Sequence, residues 1–272
     1  MEYEIKPKNK FDLGLQELWR YRELLFMFAQ RDVKVKYKQT YLGIAWALLQ
    51  PTLMTVLFTL GLGSLVSERG NITLPYPAFA LSGFVLWNLF SAGLSNSGNS
   101  MVSNAAIIKK IYFPRLIIPV SSFLVAFVDF IIAFIIMIPI MIWFNAGLNI
   151  NSILFIPLSL FLTFISSFGL GTFLSAANIK YRDVRYILPF FIQALFFATP
   201  VIYPISITGE NWFSHLLMFN PMYAPIELFR CCFGEQTMNI HTIYYSLAVG
   251  LILFFGGIYY FRKTEVYFAD IA

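Results

Sequence analysis

Side chains able to do acid–base, nucleophilic or metal chemistry are few and scattered along this chain. Its two histidines, His215 and His241, stand apart and have no Cys, Asp or Glu at metal-ligand spacing, so no metal site and no catalytic triad is expected. Cys231 and Cys232 are adjacent, where a disulfide would be strained, and they read as two free thiols. No G-x-x-x-x-G-K-[ST] loop occurs, so no ATP site and no cofactor is expected in this chain. Asp129 lies inside a long apolar stretch, where an acid marks either an ion path or a buried, hydrogen-bonded position. With no second acid, Lys or His expected at its depth, the structural reading is favoured. Glu227 and Arg230, at i and i+3, are expected to pair.

The other distinctive chemistry is aromatic. Phe, Trp and Tyr make up 18% of the chain, and most read as lipid-facing or interfacial rings. Tyr186, Phe190, Gln193 and Phe197 differ in arrangement, because they share one helical face at i, i+4, i+7 and i+11. Rings with one amide suit sliding contact with sugar rings, whose C–H faces stack on aromatics. Packing against a partner helix gives the same pattern, and the sequence leaves both open.

These residues must be positioned by membrane elements. The 272 residues are 58% apolar and only 12% charged, with a mean hydropathy of +0.71. Soluble domains carry about 25% charged residues, so an ordinary cytosolic enzyme is excluded, and so is a disordered chain. No charge falls between Lys38 and Glu68, Arg69 and Lys109, Asp129 and Lys180, or Glu235 and Arg262. Divided at Gly, Pro and Asn clusters, these runs predict an all-α integral membrane protein with six spans. The spans are placed near 42–66, 76–98, 116–144, 152–177, 187–204 and 242–261. Of the 19 Lys and Arg, all but Arg69 and Arg230 fall in segments 1–41, 99–115, 178–186 and 262–272. Cations are retained on the cytoplasmic side, so both termini are expected there. The same asymmetry accounts for the net charge of +5 without a nucleic-acid partner.

Residues 11–30 carry Asp12, Glu17, Arg20, Arg22 and Glu23 and cannot span. Phe11, Leu15, Leu18, Trp19, Phe26 and Ala29 recur at helical spacing, which predicts an amphipathic helix in the headgroup region or against a soluble partner. The segment RDVKVKYK, 31–38, reads as a continuing helix, with a period-2 strand as its alternative. Loop 205–241 is too rich in Trp212, Phe213, Leu216, Leu217, Phe219, Phe229 and Phe233 to be solvated. Two re-entrant half-helices are predicted there, turning at Asn220-Pro221.

Three stretches together resemble the type-2 ABC transporter permeases that export polysaccharides of the O-antigen, capsule and teichoic-acid group. They are RDVKVKYKQTYLGIAWALLQP (31–51), NAAIIKKIYFPRLIIP (104–119) and NIKYRDVRYILPFFIQALFFATPVIYP (178–204). The Asn220-Pro221 pair and the tail EVYFADIA are similar too. The resemblance implies a non-catalytic subunit that forms a homodimer in the bacterial inner membrane. Two copies of a separate ABC ATPase would supply ATP and Mg2+ chemistry, and the cargo would be a glycan on an undecaprenyl-type lipid. By the same resemblance Asn104, Lys109, Lys110 and Arg115 form the ATPase coupling element. Lys180, Arg182 and Arg185 would meet a diphosphate headgroup at the cytoplasmic entrance, although an ordinary basic loop has the same composition. On this reading the span-five face of Tyr186, Phe190, Gln193 and Phe197 lines the path, and Trp212, Phe213 and Phe229 close its outer end. The alternatives are an exporter of drugs, lipids or peptides in the same superfamily, or a carrier or channel working without ATP.

Overall fold

The computed structural model describes residues 15–38, 43–147, 153–208, 212–235, 240–265 and 268. Phe11 and the side chains of Leu15, Phe213 and His215 lie outside the described residues. All regular structure among the described residues is helical.

The chain opens with α1 (Leu15–Arg20) and α2 (Arg22–Lys38), joined almost without a break because Leu25 N–H still donates to Tyr21 O at 3.1 Å. Segment 31–38 is therefore helix, which removes the strand alternative. The face it buries differs from the expected one. Phe28 and Ala29 are buried against α6, whereas Trp19 (73% exposed) and Phe26 (64%) point outward.

After a 3-10 turn at Gly43–Ala45 come α3 (Trp46–Arg69), α4 (Tyr76–Ser103), the single turn α5 (Ala105–Ile108), α6 (Ile117–Trp143) and α7 (Phe155–Lys180). Then follow α8 (Val184–Phe197), α9 (Trp212–Met218), α10 (Tyr223–Cys231) and α11 (Ile240–Glu265). Five of these, α3, α4, α6, α7 and α11, are long and apolar enough to cross a membrane. The 24 residues of α3 measure ~36 Å against a hydrocarbon core of about 30 Å.

The segment expected as a span at 187–204 is different. Its helix, α8, starts earlier and ends at Phe197, giving 14 residues and ~21 Å. Pro200 and Pro204 lack the N–H groups a continuing helix would need, so the chain unwinds beyond Ala198.

Helices α4 and α7 form the centre, with α3, α6 and α11 packed around them. Between apolar helices polar side chains act as glue. Ser167 Oγ donates to Phe90 O at 3.0 Å, Ser97 Oγ to Pro119 O at 3.1 Å and Asn178 Nδ2 to Gly98 O at 3.1 Å. Where α7 crosses α11, a Cβ on Gly257 would sit 2.0 Å from Gly169 O, so the two backbones meet only because both residues are Gly. The cation-rich connectors gather at one end of the bundle, called here the basic end. There Arg31 of α2 reaches Asn104, and Arg115 Nη1 donates to Glu265 O of α11.

Candidate functional site

The half-helices α9 and α10 flank Asn220-Pro221 as the turn chemistry predicts. Helix α10 is inserted into the bundle against α4, α7 and α11, with all of Tyr223–Cys231 buried. Asn220 fixes the turn: its Oδ1 accepts from Met222 N–H at 2.9 Å, and its Nδ2 donates to Ala198 O at 2.8 Å.

That second bond belongs to a larger arrangement. Unwinding after α8 leaves backbone carbonyls that neither a helix nor lipid can satisfy. Each one finds a donor. Tyr203 Oη donates to Phe197 O at 2.7 Å, Asn220 takes Ala198 O, and Val201 N–H takes Thr199 O at 2.7 Å. Arg230 Nη1 donates to Pro200 O at 2.8 Å, its Nη2 donates to Val201 O, and Tyr76 Oη donates to Ile202 O at 3.1 Å. Arg230 Nε also donates to Phe79 O at 3.2 Å, and the guanidinium lies 3.5 Å from the Phe79 ring centroid. Gly83 makes room for it, since a Cβ there would come within 2.6 Å of both Arg230 and Val201 O. The expected Glu227–Arg230 ion pair is therefore replaced by carbonyl capping. Buried Glu227 instead interacts with Tyr223, and Glu235 accepts from Thr73 and Leu74 N–H.

Helix α8 is held by one side only. Phe196 packs on Phe58, Phe84 and Trp87, with ring centroids 6.2, 5.9 and 5.5 Å away. The opposite face is open: Tyr186, Phe190, Gln193 and Phe197 are all exposed, Phe190 at 74%. No helix of this chain covers that aromatic face. Much of α3 is also uncovered, with Leu53, Leu57 and Leu60 exposed.

The remaining expected site residues are distributed as follows. Asn104 Oδ1 accepts from Arg31 Nη2 at 2.7 Å, which ties the 104–115 connector to α2. Lys109 and Lys110 are exposed beside Ile111 and Tyr112, an apolar tip that is itself exposed. Arg115 faces inward, bonded to Glu265 and stacked over Phe268, and so serves as a brace to the C-terminal helix. Arg182 and Arg185 are exposed, and Lys180 Nζ sits 5.1 Å from the Tyr181 ring centroid. Trp212 is 77% exposed, whereas Phe229 is fully buried against Phe130, Phe134 and Phe233. The structure thus separates these two, and Phe229 anchors α10 to α6.

Two features escaped the sequence reading. Asp129 does have a Lys at its depth: Lys36 Nζ pairs with its carboxylate, and Tyr37 Oη donates to it as well. Burial and the neighbouring carboxylate push the Tyr37 phenol above its ordinary pKa. The basic end of α2 is thereby pinned to the middle of α6, which supports the structural reading of this acid. The second feature is a polar row on α4: Asn88, Ser91, Ser95, Asn99 and Ser103 at i, i+3, i+7, i+11 and i+15. They line two adjoining cavities of about 460 and 650 Å3, which share Lys36 and Ser95. The row's helical period was visible in the sequence as an interruption of the apolar pattern.

An all-helical bundle with a broken fifth crossing, buried half-helices and an uncovered aromatic helix defines a membrane transport subunit. Residues 23–233 match the family described as ABC-2 type transporter, and the chain belongs to that family. It is a multi-pass membrane protein, of a family made up of permease subunits. It is similar to an O-antigen export system permease protein RfbA from Klebsiella pneumoniae, 28% identical over 97% of this chain and 98% of that one. An RfbA permease from Myxococcus xanthus is 27% identical over 94% and 98% of the two chains. The polysialic acid transport protein KpsM of Escherichia coli is 24% identical over 89% and 93%.

Proposed function

We propose that this chain is the membrane-spanning subunit of an ATP-driven exporter of lipid-linked polysaccharide in the bacterial inner membrane. The observation that carries the reading is full-length similarity to three such permeases, coupled to an exposed aromatic face on a helix anchored only from behind. Two copies would face each other across the uncovered α3 and α8 surfaces. A polymer too long to be enclosed then slides along Tyr186, Phe190, Gln193 and Phe197, because stacking on rings is weakly directional whereas fixed charges would trap or repel it. The half-helices α9 and α10, anchored by Phe229, would close the outer end, with Trp212 and Phe213 at its rim.

Energy comes from a separate pair of ABC ATPase chains, since this chain has no phosphate-binding loop. Their docking point is the connector 104–115, where Lys109 and Lys110 flank an exposed apolar tip. Asn104 passes its movement to α2, and Arg115 passes it to α11. Lys180, Arg182 and Arg185 meet the diphosphate of the lipid carrier, Arg offering the planar fork that suits phosphate oxygens.

Deleting the gene in its host should remove the surface glycan and leave lipid-linked glycan in the inner leaflet, and this chain should restore export. Normal surface glycan in the deletion strain would overturn the reading. Topology gives a second expected outcome. Reporters fused after Lys110 and after Tyr186 should read cytoplasmic, and one within 208–212 external. An external reading at Lys110 would invert the cation asymmetry and sink the orientation.

A further inference from the structure

The polar row on α4 has no place in a channel lined by α8. It faces a groove whose walls are α3, α6 and α8, with α2 across its basic end. The side chains of Gln50, Asn88, Ser95 and Asn96 have no hydrogen-bond partner among the described residues. Amides and hydroxyls left open at this depth would be costly against hydrocarbon, so the groove holds something polar. An ion is disfavoured, because the charges lining it are already paired, Lys36 with Asp129 and Arg31 with Asp32. What remains is a wall of neutral donors and acceptors facing a half-exposed indole, Trp46. A cavity of about 460 Å3 lies within the size range of small-molecule sites.

We propose that this groove is a loading site for neutral sugar units, which are held by Gln50, Asn88 and Ser95 and stacked on Trp46 before the chain enters the dimer path. The inference rests on the polysaccharide reading above and adds a second carbohydrate surface to it. Sugars match the lining because each ring offers hydroxyls to the amides and an apolar C–H face to the indole. The entrance cations are suitably placed: Asn178 Nδ2 donates to Asn99 Oδ1 at 3.1 Å, so segment 180–185 leaves the bundle beside the groove's mouth. Its arginines would hold the diphosphate while the first sugars lie along α4. The Lys36–Asp129 pair cancels the one acid in the wall, which keeps the surface neutral for a sliding polymer.

Cysteine labelling in the assembled transporter tests this. Cys231 and Cys232, both buried, are replaced by Ala, and Asn88→Cys, Ser95→Cys and the lipid-facing control Leu57→Cys are introduced singly. Ser95→Cys changes one atom and preserves the fold if Asn88→Cys does not. Inside-out vesicles, loaded with lipid-linked glycan or prepared from cells unable to make it, are treated with a charged, membrane-impermeant methanethiosulfonate without ATP. Positions 88 and 95 should react in empty vesicles and slow about tenfold in loaded ones, the occupancy expected for a site holding its ligand by roughly 1.4 kcal/mol. Position 57 should be unreactive in both. Equal reaction with and without glycan makes the groove a water-filled crevice, and no reaction in either makes it closed. Both results overturn the inference. Restored surface glycan in the complemented deletion strain, together with either result, removes the groove and leaves the exporter. Failure to restore export removes the exporter reading itself.

Discussion

Replacing Arg230 by Met should abolish recovery of a monodisperse protein from the membrane, or lower the melting temperature of the solubilised protein far below wild type. Arg230 donates to the carbonyls of Phe79, Pro200 and Val201 and stacks on the Phe79 ring. Hydrogen bonds from a charged donor contribute about 1.5–3 kcal/mol each, and leaving the buried carbonyls unmade carries their desolvation cost. Losing three together is comparable to the whole stability margin of many domains, ~5–15 kcal/mol. Arg230→Lys should fall between, because an ammonium offers a point charge where the site needs a planar fork spanning two adjacent carbonyls. Gly83→Ala should behave like the Met variant, since its Cβ occupies the guanidinium's space. Wild-type thermal stability in Arg230→Met, measured by size-exclusion fluorescence after heating, would show that the unwound turn is held by something else.

Replacing both Phe190 and Phe197 by Ala should cut export roughly tenfold or more while the complex stays assembled and its ATPase active. Two aromatic contacts at about 0.5–1.5 kcal/mol each account for a loss of that order. Stability should barely move, because both rings are exposed and α8 is anchored through Phe196 on its other face. Lipid-linked glycan accumulating in the inner leaflet is the readout. Loss of the dimer in the double variant would instead make this face a contact with the partner copy, the other reading the sequence left open.

Much of this architecture was legible because hydrocarbon imposes a coarse rule: charge-free runs must be helical. The five long helices follow from that rule, and Asn220-Pro221 was enough to divide the apolar loop into α9 and α10. The failures share a cause. The partners of Asp129, Lys36 and Tyr37, lie more than ninety positions away on a helix read as interfacial, and no local periodicity reports such a contact. Arg230 was assigned to Glu227 because i, i+3 spacing is visible in a sequence, whereas carbonyls released by a distant helix break are not. Phe229 was placed at the surface with its aromatic neighbours, because a hydrophobic loop shows which side chains avoid water but not which of them enter the core. The polar row on α4 was legible and went unread, because an apolar span is usually scanned for charges and seldom for a stripe of Asn and Ser.

The claim that this chain conducts a glycan under ATP power is tested most directly in proteoliposomes holding the chain and its ATPase partner. Lipid-linked glycan is supplied on the ATPase side, and a lectin enclosed on the opposite side reports its arrival. Lectin-bound glycan should appear with ATP and Mg2+ and should not appear with a non-hydrolysable analogue or with the ATPase omitted. Arrival at the same rate without ATP would make the protein a carrier or channel. ATP hydrolysis with no glycan reaching the lectin would make it an exporter of something else.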